Sequence, residues 1–250
     1  MNWILFALAG SVAQLVDGTL GMGFGLLSST LLLTLGASAA LSSTAVHIAE
    51  ICTTLASGAS HWHAENIDKN ILLRLAIPGG IGAFLGATFL SFIDLANGKI
   101  FISTLLLFLG FLLLYRNLFT NQQANLVEIK NPRFLTYLGF TGGFIDAAGG
   151  GGWGPVVTPT LLSTTSTEPR KVIGTVSASE FIVAVAASVG FLLNINRVEI
   201  DWSVVGGLAL GGTLMAPIAA RVVKRLPRKK LGLLVAIAII AINGYRILIS

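Results

Sequence analysis

Asp146-Ala147-Ala148-Gly149-Gly150-Gly151-Gly152-Trp153-Gly154-Pro155 interrupts a long run of apolar sequence, and Asp17-Gly18-Thr19-Leu20-Gly21-Met22-Gly23-Phe24-Gly25 does the same 129 positions earlier. A carboxylate followed by clustered glycines suits a lipid-facing helix poorly, because glycine loosens the backbone and a charge resists leaving water. The chain accepts that cost twice, at matched positions, which marks a duplicated unit with one working break per copy. The match continues past the breaks. Glu50, in Val46-His47-Ile48-Ala49-Glu50, lies 130 positions before Glu180, in Val176-Ser177-Ala178-Ser179-Glu180, and Gly79-Gly80 loosely matches Gly211-Gly212.

Composition places the whole chain in a membrane. It has 54% hydrophobic residues, 11% charged residues and a mean hydropathy of +0.84, against roughly a quarter charged in soluble proteins. The apolar runs are continuous instead of alternating over segments of about ten residues, so the spans are helical and not those of a β-barrel. The first apolar stretch lacks a basic leader and runs straight into the first break, so no cleavage is expected. The net charge of +5 sits beside spans, not in an aromatic-interleaved patch, which argues against nucleic acid. The single cysteine, Cys52, offers neither an intrachain disulfide nor a cysteine metal cluster, and reads as packing.

Ten apolar windows follow one another, at roughly 3–17, 22–36, 41–61, 71–93, 98–115, 134–148, 153–165, 172–194, 202–223 and 231–249. A window of about 15 residues reaches about 22 Å as a helix, short of a core of about 30 Å, so the segments flanking each break read as half-helices. Basic residues concentrate on the cytoplasmic side of membrane proteins. If the segment around each break crossed once, the 16 Lys and Arg residues would divide 7 and 9. If it turns back, 13 gather on one side and only Lys99, Arg197 and Arg246 remain on the other. The expected fold is therefore all-α: a polytopic helical membrane protein of two inverted repeats, each a glycine-broken helical hairpin followed by three transmembrane helices. Repeat 1 covers residues 1–116, a cytoplasmic linker 117–133 and repeat 2 134–250. Loops near 62–70, 166–171 and 224–230 are expected on the cytoplasmic side as well.

Among 11 acidic residues, Asp17, Glu50, Asp146 and Glu180 alone lie well inside apolar windows, as two repeat-related pairs. Such carboxyl groups serve as proton carriers, cation ligands or caps on a following half-helix. For Asp17 and Asp146, capping and transport chemistry stand level; Glu50 and Glu180, with no break to cap, point to a substrate path or proton role. Gly21, Gly23 and Gly25, and Gly149, Gly150, Gly151, Gly152 and Gly154, precede the second arm of each hairpin. They expose its free N–H groups and positive dipole end, a setting for an anion. Helix packing is the competing reading for these glycines. Phe24 and Trp153 either stack over a ligand or fill the gap beside the glycines. His47 shares a helix face with Glu50. His61 and His63, flanking Trp62, together with Glu65 read as an interfacial belt more readily than as a metal site. No metal site is expected, and no motif of nucleotide-driven or hydrolytic catalysis is present.

The stretch Gly143-Phe144-Ile145-Asp146-Ala147-Ala148-Gly149-Gly150-Gly151-Gly152-Trp153-Gly154-Pro155 resembles the hallmark of the TauE/SafE sulfite exporter family, also called the toluene sulfonate uptake permeases. The resemblance extends over the chain, with Thr19, Leu20 and Met22 departing from the glycine-rich form in the first copy. It implies a non-enzymatic secondary carrier of the bacterial inner membrane for sulfite, organosulfonates or related small sulfur-containing anions, driven by protons. Its members are described with eight spans, a count that the charge placement does not reproduce. The partners so implied are a small anion, protons and the bilayer, without cofactor; a homo-oligomer stays open. A cation/proton exchanger using the four acids, or a non-transporting membrane assembly factor, remain the alternatives.

Overall fold

A computed structural model of the 250-residue chain describes residues 3–93, 95–119, 132–164, 167–194, 196, 200–222 and 228–249. Ten helices and no strand occur among them: α1 (Trp3–Leu20), α2 (Phe24–Thr34), α3 (Ala39–His63), α4 (Lys69–Phe92), α5 (Leu95–Phe119), α6 (Pro132–Gly149), α7 (Trp153–Thr164), α8 (Pro169–Leu193), α9 (Trp202–Val222) and α10 (Arg228–Ile249). Each apolar window of the sequence corresponds to one helix. Most of the expected linker, residues 120–131, lies outside the described residues, as do 166 and 224–227 of two other expected cytoplasmic loops. Six helices, α3, α4, α5, α8, α9 and α10, contain stretches long and apolar enough to cross a membrane. The half-helix α2 has only 11 residues.

Helix starts repeat between the halves as the breaks do. Asp68 accepts hydrogen bonds from the amides of Asn70 and Ile71 at the head of α4, and Asp201 accepts them from Ser203 and Val204 at the head of α9. Both satisfy amides that a first turn leaves without partners. Ser38 does the same for Leu41 in α3, whereas α8 begins with Pro169, whose missing N–H costs nothing in a first turn.

Small residues decide which helices touch. Along α4, Leu73, Ile77, Ile81, Leu85 and Phe89 recur every four residues and are exposed, an apolar stripe suited to lipid. The opposite face carries Gly79, Gly82 and Gly86, against which α6 packs through Phe140, Gly143 and Phe144. The same device joins α1 to α9, where Gly10 meets Leu208, Gly211 meets Ala7 and Gly18 meets Ala219. From Leu75 against Gly139 to Gly86 against Phe144, and from Trp3 against Gly207 to Gly18 against Ala219, both members of each pair advance, so the helices run parallel. Helices α3 and α8 run antiparallel, with Ser57 beside Ser177 and His47 beside Phe191. So do α5 and α10, with Gly110 beside Ile239 and Arg246 bonded to Ser103. Exchanging α1–α5 for α6–α10 maps these pairings onto themselves.

Cys52 does not pack inside as expected: it is exposed on α3, on the helix face that turns away from α8.

The α4 and α6 contact makes a stability prediction. A Cβ on Gly143 would collide with the Gly79 carbonyl, which is backbone and cannot rotate aside. Gly143→Leu is expected to destabilise the protein by about 1–3 kcal/mol or more through overpacking, read as a lower melting temperature in detergent. Gly206→Leu, where nothing lies within 4 Å of an added Cβ, is expected to be near neutral.

Candidate functional site: the crossing of the two breaks

The two breaks adopt related backbone conformations. Gly21 and Gly150 both have a positive φ near 70°, at 69° and 71°, and their amides donate to the carbonyls of Asp17 and Asp146. The first arms end there because a side chain is strained in that region of φ. The chain then crosses to its counterpart. Gly25 and Gly151 lie back to back, and a Cβ on either would overlap the main chain of the other. Ser29 donates its hydroxyl hydrogen bond to the Gly150 carbonyl, and Thr158 donates to the Gly21 carbonyl at 3.2 Å. Each break is thus held by a hydroxyl from the half-helix of the other repeat.

Asp146 organises the second break. Its Oδ1 accepts from the Gly152 and Trp153 amides at 2.7 and 2.9 Å, and its main-chain carbonyl accepts from Gly150 and Gly151. The amides of residues 150–153, read from the sequence as donors for an anion, are therefore already spent on Asp146. In the first break Asp17 accepts from the Phe24 amide at 3.4 Å, a longer version of the same contact. Trp153 is fully buried, with its indole N–H donating to the Val176 carbonyl at 3.2 Å and its ring against Gly79 and Gly142. It fills a gap and has no face free for stacking.

Across the crossing, Asp146 meets His47. The sequence paired His47 with Glu50 on one helix face, but its Nε2 lies 3.2 Å from Asp146 Oδ2, in the other repeat. His47 Nδ1 is 2.7 Å from the Ser43 carbonyl, which can only accept, so Nδ1 carries a hydrogen. The contact between Nε2 and Oδ2 then needs one proton, held by either partner. Both residues are buried, at 0% and 1% exposure. His47, Glu50 and Asp146 place their ligand-type atoms within 4.8 Å of one another, a convergence invisible in a linear reading. No metal site was expected here. A shared proton accounts for the His47 and Asp146 contact, and Asp146 Oδ1 is already engaged by two amides.

Beside this pair lies a narrow cleft, with room of about 10 Å³, roughly that of one water molecule, lined by Gln14, Asp17, Phe24, Glu50, Thr53, Thr54, Ser57, Ser177 and Glu180. Three of the four intramembrane acids meet there, and no basic residue lines it among the described residues. Glu50 is 2% exposed, and its Oε2 has no hydrogen-bond partner. Gln14, Thr53, Thr54, Ser57 and Ser177 had not been singled out. A helical-wheel reading would have found them, since they lie three, four or seven positions from Asp17, Glu50 and Glu180. The cleft is one-sided. The positions that match Thr53, Thr54 and Ser57 in repeat 2, offset by 130, are Val183, Ala184 and Ala187, all fully buried.

Basic side chains approach from the span ends. Arg116 donates to the Pro155 carbonyl at 3.4 Å, and Arg246 donates to the Leu33 carbonyl. In the His61 to Glu65 segment Trp62 and His63 are exposed, and Lys69 lies over the Trp62 ring at 5.0 Å.

Long apolar helices around two broken ones, with buried acids at the crossing, define a multi-pass membrane protein of the transporter class. The description "Sulfite exporter TauE/SafE" matches residues 6–246, and the chain belongs to that family. It is 46% identical over 245 residues to the probable membrane transporter protein YtnM of Bacillus subtilis (strain 168), covering 96% of this chain and 81% of the relative. No solved structure matches it.

The doubled role of Asp146 separates two substitutions. Asp146→Asn keeps an oxygen for the two amides and offers an N–H to His47 Nε2, so it is expected to hold the fold. Asp146→Ala strands the buried amides and the imidazole, and is expected to lose about 2 kcal/mol or more. Thermal unfolding of the two variants in the same detergent checks the difference; equal melting temperatures would contradict it.

Proposed function

We propose that this protein is a secondary transporter of small sulfur-containing oxyanions, sulfite or organosulfonates, coupled to protons in the cytoplasmic membrane. Two inverted repeats would work by alternating access around the crossing of their breaks. The observation that carries the reading is the convergence of Asp17, Glu50, Asp146 and Glu180, from both halves, on the point where Gly25 meets Gly151. Antiparallel packing of α3 on α8 and of α5 on α10 supports opposite orientation of the halves. With repeat 1 at residues 1–116 and repeat 2 at 134–250, each contributes a half-helix whose close approach to the other leaves no room for a side chain. Relative rocking of the halves would pivot there.

Family membership supports the anion class. The glycines at 21, 23, 25, 149–152 and 154 then act chiefly as the pivot. Phe24 borders the cleft, while Trp153 seals the repeat-related side. Asp146 and His47 share a proton at the seal, and Asp17, Glu50 and Glu180 face the cleft, where protons can be exchanged.

One feature favours the cation exchanger as a second reading: among the described residues the cleft has acids and no basic residue. Ligand-dependent unfolding separates the two. Sulfite, thiosulfate or a sulfonate at a hundred times its Kd is expected to stabilise the purified protein by about 2.7 kcal/mol, with no response to sodium or divalent cations. Stabilisation by a cation alone, with no response to any sulfur oxyanion, would contradict the proposal.

A further inference from the structure

We infer that the cleft beside Glu50 is itself the anion site, that protonated carboxyl groups supply its donors, and that anion and proton therefore cross together in the same direction. The inference rests on the oxyanion reading above and adds the site, the proton carrier and the sign of coupling.

The donor inventory leads there. An oxyanion has acceptors only and must be met by donors. The amides of residues 150–153 are bonded to Asp146. The hydroxyls of Thr53 and Thr54 donate to the Glu50 carbonyl, and that of Ser177 donates to Ser57. The arginines nearest the half-helices hold the Pro155 and Leu33 carbonyls. Neutral donors near the cleft are the Gln14 amide, the Ser57 hydroxyl, which accepts from Ser177, and the main-chain N–H groups at the head of α2; the remaining polar groups are carboxyl, Asp17 from α1, Glu50 from α3 and Glu180 from α8.

A carboxylate repels an anion and offers it no hydrogen. A protonated carboxyl donates one hydrogen bond and carries no charge. Glu50 is the group placed to do this, being nearly fully buried with its Oε2 unengaged at the cleft. Its surroundings on every side are acidic or neutral: Asp17, Asp146 and Glu180 act on it electrostatically, and His47 is engaged with Asp146. Several bare carboxylates together in a low-dielectric cleft would be costly without a compensating charge, and protons are that charge. Proton and anion then raise each other's affinity, since linkage is reciprocal.

The sign of coupling follows. A cleft loaded with both moves both, so anion flux runs from the acidic to the alkaline side. An exchanger of anion for proton would run the other way. The one-sided polarity fits a single loaded cleft: Val183, Ala184 and Ala187 close the repeat-related positions with apolar side chains, so a second acid-lined route is missing among the described residues.

The test uses the full-length protein in liposomes with labelled thiosulfate and methanesulfonate, which stay ionised across the working pH range, and a trapped pH dye. With the outside acidified, the anion is expected to accumulate inside and the lumen to acidify as it enters. Entry with luminal alkalinisation, or anion exchange without proton movement, overturns the inference while leaving anion transport in place. Absence of any anion flux or exchange under every gradient removes the oxyanion reading itself. Glu50→Gln is expected to cut gradient-driven accumulation by about tenfold or more and to flatten the pH profile of flux. A uniform loss at every pH with the profile kept would assign Glu50 a structural role instead. If that variant fails to insert, Glu180→Gln and the wild-type proton signal still decide the sign.

Discussion

Two main chains pass within touching distance at Gly25 and Gly151, and the rest of the molecule is arranged around that contact. A Cβ on either residue would overlap the other backbone, so the crossing exists only because both positions are bare. Each of the two helical segments reaching it must stop short and hand its unpaired amides to some acceptor. In repeat 2 Asp146 takes four of them through its carboxylate and its carbonyl. The remaining oxygen of that carboxylate faces His47 from the other half. One residue thus ends a helix with its carbonyl, starts the next with its carboxylate and reaches across to the other copy.

The pseudo-symmetry of the contacts is not carried through to the chemistry. Offsets near 130 relate Asp17 to Asp146, Phe24 to Trp153 and Glu50 to Glu180. Yet Thr53, Thr54 and Ser57 correspond to Val183, Ala184 and Ala187, and His47 corresponds to Ser177. Thr53, Thr54 and Ser57 give the cleft a hydroxyl-rich wall, whereas the matching side chains of the second copy are apolar and buried.

Much of the fold was legible in advance, because hydropathy and charge act through simple distance rules. Ten windows became ten helices, and the breaks at residues 21–23 and 150–152 were visible as glycine beside acid. The four acids of the apolar windows were legible too, since few carboxylates survive in apolar sequence by chance; Glu50 and Asp146 are buried, Asp17 and Glu180 half-buried. The partners were not legible. Which amide an aspartate caps, and that His47 reaches across to Asp146 instead of down its own helix to Glu50, depend on the crossing geometry. The exposure of Cys52 and the burial of Trp153 depend likewise on which helix faces which. The polar lining of the cleft lay within reach of a helical wheel centred on each acid.

A membrane cross-link tests whether the breaks meet as described. Met22 and Gly154 face each other there, with the Met22 side chain 2.9 Å from an added Gly154 Cβ. Disulfides need Cβ atoms about 3.5–4.5 Å apart, within a small adjustment of that geometry. In a Cys52→Ser background, with a protease site placed between residues 120 and 131, Met22→Cys and Gly154→Cys are expected to keep the two cleaved halves joined on a non-reducing gel after mild oxidation in native membranes. Halves that separate cleanly, while the protein remains folded and inserted, would contradict the crossing and everything built on it.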